Sequence, residues 1–126
     1  MFLYITIGTN STERARPFYD AVMAPLGWVL RDGDEYEIGY GPPDDGRITL
    51  WITKPYDKKP ATVGNGSMPA FVAPSRAAVD AFYKAALAHG GADEGAPGLR
   101  YKPHFYSCYV RDLDGNKLSA VCEKPE

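Results

Sequence analysis

Histidine and cysteine supply many of the metal ligands and nucleophiles of enzymes, and this chain of 126 residues has only two of each. The cysteines, Cys108 and Cys122, share apolar strand positions with Val110 and Leu118. They read as reduced packing residues rather than nucleophiles. A disulfide between them is geometrically possible, but a chain of this length buries a core without one. Basic residues are not clustered: 14 Lys and Arg against 16 Asp and Glu leave a net charge of −2. The absence of a basic stripe argues against nucleic acid, which needs Lys and Arg gathered on one surface. No apolar run approaches the roughly 20 residues of a membrane span. Residues 1–7 lack the basic start and apolar length of a signal peptide, so a cytoplasmic location is expected. No Ser-His-Asp order, P-loop or dinucleotide fingerprint is present; neither Gly8 nor Gly64-Asn-Gly66 precedes a phosphate-cradling helix.

What remains is an ordinary globular composition, 44% apolar and 24% charged. Leu3 to Thr9 alternates as a half-buried strand. Asn10-Ser-Thr-Glu13 is a capping-box pattern with Asn10 as N-cap, and the helix it opens runs to about Leu26 before Gly27. Its apolar stripe is Ala15, Phe18, Tyr19, Val22, Met23 and Leu26, and Pro17 should kink it. Strands are expected at 28–30, 35–40 and 48–53. The Pro-, Gly- and Lys-rich stretch 54–66 reads as a linker. A strand at 68–73 and a helix opened by Pro74-Ser75 and closed by Gly90-Gly91 follow, then a loop at 93–103 with room for a short strand. The chain ends in a hairpin whose strands are joined by Asp112-Leu-Asp-Gly-Asn116, a turn sequence tolerant of positive φ.

The two halves repeat. Phe18-Tyr19 recurs as Phe82-Tyr83, and Gly27 recurs as Gly91 at the same offset. Each half reads as strand, helix and about three strands. The expected fold is therefore α+β: two βαβββ modules in a single domain over 1–126, with module 1 at about 1–58, module 2 at about 67–126 and the linker between. The sheets should curve into a cup with the helices on the outer face.

That duplication, with Phe-Tyr before Leu26-Gly27 and a last hairpin reading Val110-Arg-Asp-Leu-Asp-Gly-Asn-Lys-Leu118, resembles the vicinal oxygen chelate superfamily, which includes glyoxalase I, bleomycin-resistance proteins and extradiol dioxygenases. The resemblance implies an open cleft, a homodimer, and a divalent metal held by His, Glu or Gln from the first and last strand of each module. Transferred onto this chain, the metal positions fall on Tyr4, Trp51 (or Thr49 after a two-residue slip), Met68 and Ser119. Indole has no lone pair to give, phenol ligates only as phenolate, and thioether and hydroxyl are weak ligands for these ions. The expectation is accordingly no metal and no other cofactor.

Tyr4, Tyr36, Trp51, Met68, Tyr106 and Ser119 are then the candidate ligand-binding residues. Aromatic rings with polar tips can stack on a planar ligand and hydrogen-bond it; Trp51 and Tyr106 are expected to form that platform. His104, before the hairpin, is the one weak candidate for general acid or base; His89 fits a helix C-terminus. The favoured function is metal-free binding of a small, aromatic organic molecule. A metal-dependent lyase or isomerase with an atypical ligand set, and a non-catalytic assembly protein with a closed cleft, are the alternatives, so whether the chain is an enzyme stays open at this point.

Overall fold

The computed structural model describes residues 1–125; Glu126, the end of the expected second module, lies outside the described residues. The first module comprises β1 (Ile5–Gly8), α1 (Thr12–Met23), a 3₁₀ turn (Ala24–Leu26), β2 (Val29–Gly33), β3 (Glu37–Gly41) and β4 (Leu50–Thr53). The second comprises β5 (Ala70–Val72), α2 (Arg76–Ala88), β6 (Ala92–Leu99), β7 (Tyr106–Arg111) and β8 (Lys117–Cys122). The strand orders are β1-β4-β3-β2 and β5-β8-β7-β6, so one topology is built twice. β1 pairs with β4 in parallel, as β5 does with β8, and every other pairing is antiparallel. The chain is thus α+β with two separate four-stranded mixed sheets, and no ladder closes them into one.

The duplication extends to the helix caps. Ser11 accepts from the Arg14 N–H at 3.1 Å, and Ser75 accepts from the Ala78 N–H at 3.0 Å. Ser11 thereby replaces Asn10 as the N-cap. The Asn10 side chain is drawn off to the linker, where its carbonyl oxygen accepts from the Ala61 N–H at 2.7 Å. With the cap moved on by one, Glu13 no longer stands at the capping-box position. α1 continues through Pro17, which lies on its solvent face, where water can take the carbonyl that proline leaves unbonded. Gly27 stops the helix with its φ at 81°, the left-handed cap that glycine adopts at least cost.

The expected loop at 93–103 is largely strand. β6 has eight residues, including Gly95, Pro97 and Gly98, and its pairing with β7 shifts register twice. Proline and glycine are tolerated there because β6 is an edge strand and the shifts absorb the missing donor and the extra residues.

Each helix lies on one face of its sheet. Phe18, Tyr19, Val22 and Met23 of α1 are buried with Ile38, Tyr40, Leu50 and Ile52. Val79, Phe82 and Ala86 of α2 are buried with Cys108, Val110, Leu118 and Ala120. An aromatic contact joins the modules: Trp28 meets Phe71 edge-on at 5.6 Å, and within module 2 Phe71 meets Phe82 at 6.5 Å.

A polar clamp completes the joint, and the turn that marks the fold in the sequence is its centre. Oδ1 of buried Asp112 accepts from the N–H groups of Asp114 (2.9 Å) and Asn116 (2.8 Å). Its Oδ2 accepts from Asn116 Nδ2 at 2.9 Å and from the Tyr19 hydroxyl of module 1. Asn116 Nδ2 also donates to the Gly8 carbonyl at 2.8 Å, and Asp114 accepts from the Asn10 N–H at 2.9 Å. Burial first, and then the Asp112 charge, hold the Tyr19 phenol well above its ordinary pKa.

Candidate functional site

The face of each sheet turned away from its helix is the one free to meet a ligand. Alternation along the strands puts Thr6 and Gly8 of β1, Trp51 and Thr53 of β4, and Glu37 and Gly39 of β3 on that face of sheet 1. Trp51 lies flat on the sheet because residue 39 is glycine: a Cβ there would stand 2.9 Å from the indole.

A groove of about 820 Å³ opens at the end of this face. Thr6, Thr53 and Tyr36 line it from the sheet, and Lys54, Tyr56 and Lys58 line it from the linker. Two ammonium groups stand over the Tyr36 ring, Lys54 Nζ at 5.7 Å and Lys58 Nζ at 5.4 Å, within reach of its negative face. The ring is positioned by the β2–β3 turn, where Asp34 Oδ1 accepts from the N–H groups of Tyr36 (2.8 Å) and Glu37 (3.0 Å). Those two bonds, the Glu37 one foremost, lower the Asp34 pKa.

Of the residues singled out in the sequence, Tyr36 lines the groove, and half-buried Trp51 lies on the same strand face as the lining residue Thr53. Tyr4, 52% exposed, shares the strand parity of Thr6 just before β1. Met68, 37% exposed, lies in the approach to β5. Ser119 is fully buried on the free face of sheet 2, and its hydroxyl has no hydrogen-bond partner among the described residues.

Tyr106 is not with Trp51. It pairs with Cys122 on the helix-facing side of sheet 2, where its hydroxyl donates to Asp80 of α2 at 2.7 Å and the Arg76 guanidinium stands 5.4 Å over its ring. The platform expected from Trp51 and Tyr106 is therefore not formed, since the two rings occupy opposite faces of different sheets. His104 is exposed in the β6–β7 turn and does not line the groove. His89 closes α2, its Nδ1 2.9 Å from the Ala85 carbonyl oxygen.

The residues at the four transferred metal positions do not suit a divalent ion, and among the described residues no group of three or more His, Cys, Asp and Glu side chains is placed to hold one. Burial pushes the Cys108 thiol up to about 11, so it has little thiolate at neutral pH. The groove's outer wall is the feature that sequence reasoning missed. Residues 54–60 read as mere linker, although Lys54, Tyr56, Lys58 and Lys59 crowded into a few residues is a surface-forming composition.

Comparison with known proteins agrees with this architecture. A family model described as the glyoxalase/bleomycin resistance protein/dioxygenase superfamily matches residues 2–119. A glyoxalase/bleomycin resistance protein from Albidiferax ferrireducens T118 is 37% identical over 98% of this chain and 99% of its own, with a TM-score of 0.87. At lower identity the likeness is of fold alone. A glyoxalase/bleomycin resistance protein/dioxygenase family enzyme from Burkholderia phytofirmans PsJN is 19% identical over 98% of this chain and all of its own (TM-score 0.73). A lactoylglutathione lyase from Agrobacterium tumefaciens is 21% identical over 97% of this chain and 92% of its own (TM-score 0.65). No curated protein matches the chain. The family match across nearly the whole chain and the 37% identical relative place this protein in the glyoxalase/bleomycin resistance protein/dioxygenase superfamily.

Proposed function

We propose that this protein binds a small aromatic molecule on the free face of sheet 1, without the divalent metal of its enzymatic relatives. The observation that carries the reading is the groove itself: Tyr36 with its lysines forms one wall and Thr6 and Thr53 supply hydroxyls, while Trp51 lies outside the lining, two residues along the same strand face from Thr53. An aromatic guest stacks on such rings while a few polar groups set its orientation. The chemistry at positions 4, 51, 68 and 119 argues in the same direction, because none of these side chains is a good ligand for zinc, iron or manganese.

The binding unit we propose is a homodimer in a reducing, cytoplasmic setting. Val72 is 84% exposed on the edge strand β5, and Phe2 is 83% exposed ahead of the edge strand β1. A second copy covering these edges would remove both apolar surface and unpaired strand backbone from water. The two buried free thiols suit such a compartment. None of the described helices is long and apolar enough to cross a membrane.

A thermal-shift screen of aromatic compounds, thiol conjugates and antibiotics, run with and without chelator, tests the reading. Ligands that raise Tm equally in both conditions support it. A stoichiometric metal that the ligand response requires would return the chain to metal-dependent lyase or isomerase chemistry.

A further inference from the structure

Residues 55–67 cross the edge of the free face of sheet 1 as a strap, and one side chain ties the strap down. We propose that this strap is a lid over the groove and that Asn10 is the positioning residue that latches it shut. The proposal rests on the reading of the groove as a ligand site and adds how that site opens.

The strap meets the sheet at one seat. Of its residues only Pro55 and Ala61 are half-buried, and all the others are exposed. Ala61 sits on Gly8, the last residue of β1: a Cβ added at Gly8 would stand 3.1 Å from the Ala61 Cβ. The Asn10 amide then grips Ala61 as a neighbouring strand would. Its Oδ1 accepts from the Ala61 N–H at 2.7 Å, and its Nδ2 donates to the Ala61 carbonyl at 3.5 Å. Among the described residues no other group outside the strap forms a hydrogen bond with residues 55–67. A segment with so few buried contacts belongs to the low-stability end of a fold.

The strap is stiff in its first half and hinged at its far end. The Lys58 N–H donates to the Pro55 carbonyl at 3.1 Å, the Lys59 N–H donates to Asp57 Oδ1 at 2.9 Å, and Pro55 and Pro60 each fix a φ. The start is anchored by the Lys54 N–H, which donates to the Tyr36 carbonyl at 2.8 Å. At the far end the Ser67 N–H donates to the Gly64 carbonyl at 2.9 Å, in a turn where Gly66 has a φ of 99°. Glycines in such a turn absorb the backbone rotation that a hinge requires.

The cavities beneath give the motion its consequence. Tyr56, Lys58 and Pro60 line the groove of about 820 Å³, whereas Thr62, Val63 and Ser67 line a second hollow of about 260 Å³. Both hollows reach Thr6, Ile7 and Gly8 of β1, so Ala61 on Gly8 is the partition between them. Lifting Ala61 joins the two into one cleft along β1 and draws Lys58 away from the Tyr36 ring. Asn10 is itself placed by module 2, since its N–H donates to Asp114 Oδ1 at 2.9 Å. The latch is therefore set only while the modules are docked.

Limited trypsin digestion of the free protein tests the latch. Lys54 and Lys59 each precede proline, a bond trypsin does not cut, so Lys58–Lys59 is the cleavable bond of the strap. Cleavage there follows the population of the open strap. Asn10→Ala should speed it about fivefold, the scale of one lost hydrogen bond. Gly8→Val, which lifts Ala61 from beneath with Asn10 intact, should also speed it. Asn10→Asp keeps the acceptor for the Ala61 N–H and should be cut like wild type at high salt, which screens the new charge from Asp114. Ser11→Ala weakens α1 but not the latch, and it should leave the rate unchanged. Naphthol, as an aromatic probe, should slow cleavage of the wild type and bind several-fold more weakly to Asn10→Ala. Unchanged cleavage in both Asn10→Ala and Gly8→Val, or Asn10→Asp cut as fast as Asn10→Ala, overturns the latch. Equal naphthol affinity in wild type and Asn10→Ala overturns the lid. Naphthol that does not bind the wild type counts against the aromatic reading of the groove, and the cleavage rates still decide the latch.

Discussion

Replacing Tyr19 by phenylalanine removes one oxygen from the joint between the modules. The ring is fully buried and stays in place, packed edge-on to Phe18 at 5.0 Å. What disappears is one of the four hydrogen bonds that the Asp112 carboxylate accepts, and the only one of them donated by module 1. A hydrogen bond to a charged group contributes about 1.5–3 kcal/mol, and a buried carboxylate left short of a donor keeps that cost. With an unfolding entropy of about 2.1 cal/mol/K per residue, a chain of this length should lose about 6–11 °C in Tm. Urea denaturation and differential scanning calorimetry read the two quantities separately. Tyr83→Phe is the control, because its hydroxyl bonds Asp93 on a partly exposed surface, and it should cost well under half as much. Stability unchanged within about 0.5 kcal/mol in Tyr19→Phe would refute the clamp and leave Asp112 as a turn residue serving module 2 alone.

Three further outcomes follow from the same structure. Ser11→Ala should cost about 1 kcal/mol as the loss of an N-cap, and Asn10→Ala should act instead by loosening the linker at Ala61, seen as faster amide exchange there; a larger helix loss in Asn10→Ala would reverse the cap assignment. Cys108 has a folded-state pKa raised by burial to about 11, so its contribution to stability is full below the ordinary thiol range and is lost as pH rises through the folded value; Cys108→Ala should flatten that part of the stability profile, and an unchanged slope would contradict the burial argument. Tyr19 and Tyr40, both raised chiefly by burial, add a further decline at still higher pH, which alkaline unfolding monitored by circular dichroism would record.

Much of the fold was legible because the duplication is written in residues that do local work. The Phe-Tyr pairs, the glycines that stop each helix and the Asp-Gly turn act within a few residues of themselves. The misplaced features all depend on distant partners. Asn10 loses its cap role to a backbone group far along the chain, at Ala61. β6 looks like a loop because Gly95, Pro97 and Gly98 suit no central strand, and only its place at a sheet edge makes room for them. Tyr106 shares the strand parity of Cys108 and Val110, so alternation alone assigns it to the helix side; its ring chemistry made it attractive for the cleft, and parity was the better guide.

The central claim, an aromatic-lined binding face that works without a metal, is tested most directly by the Tm shift that the best ligand of the screen gives to chelator-treated protein, wild type against Trp51→Ala. The account predicts the same shift with and without chelator, and a loss of about 1–3 kcal/mol of binding in Trp51→Ala, the scale of a buried aromatic anchor. A shift that vanishes on chelation and returns with a divalent ion, or one indifferent to Trp51, would contradict it.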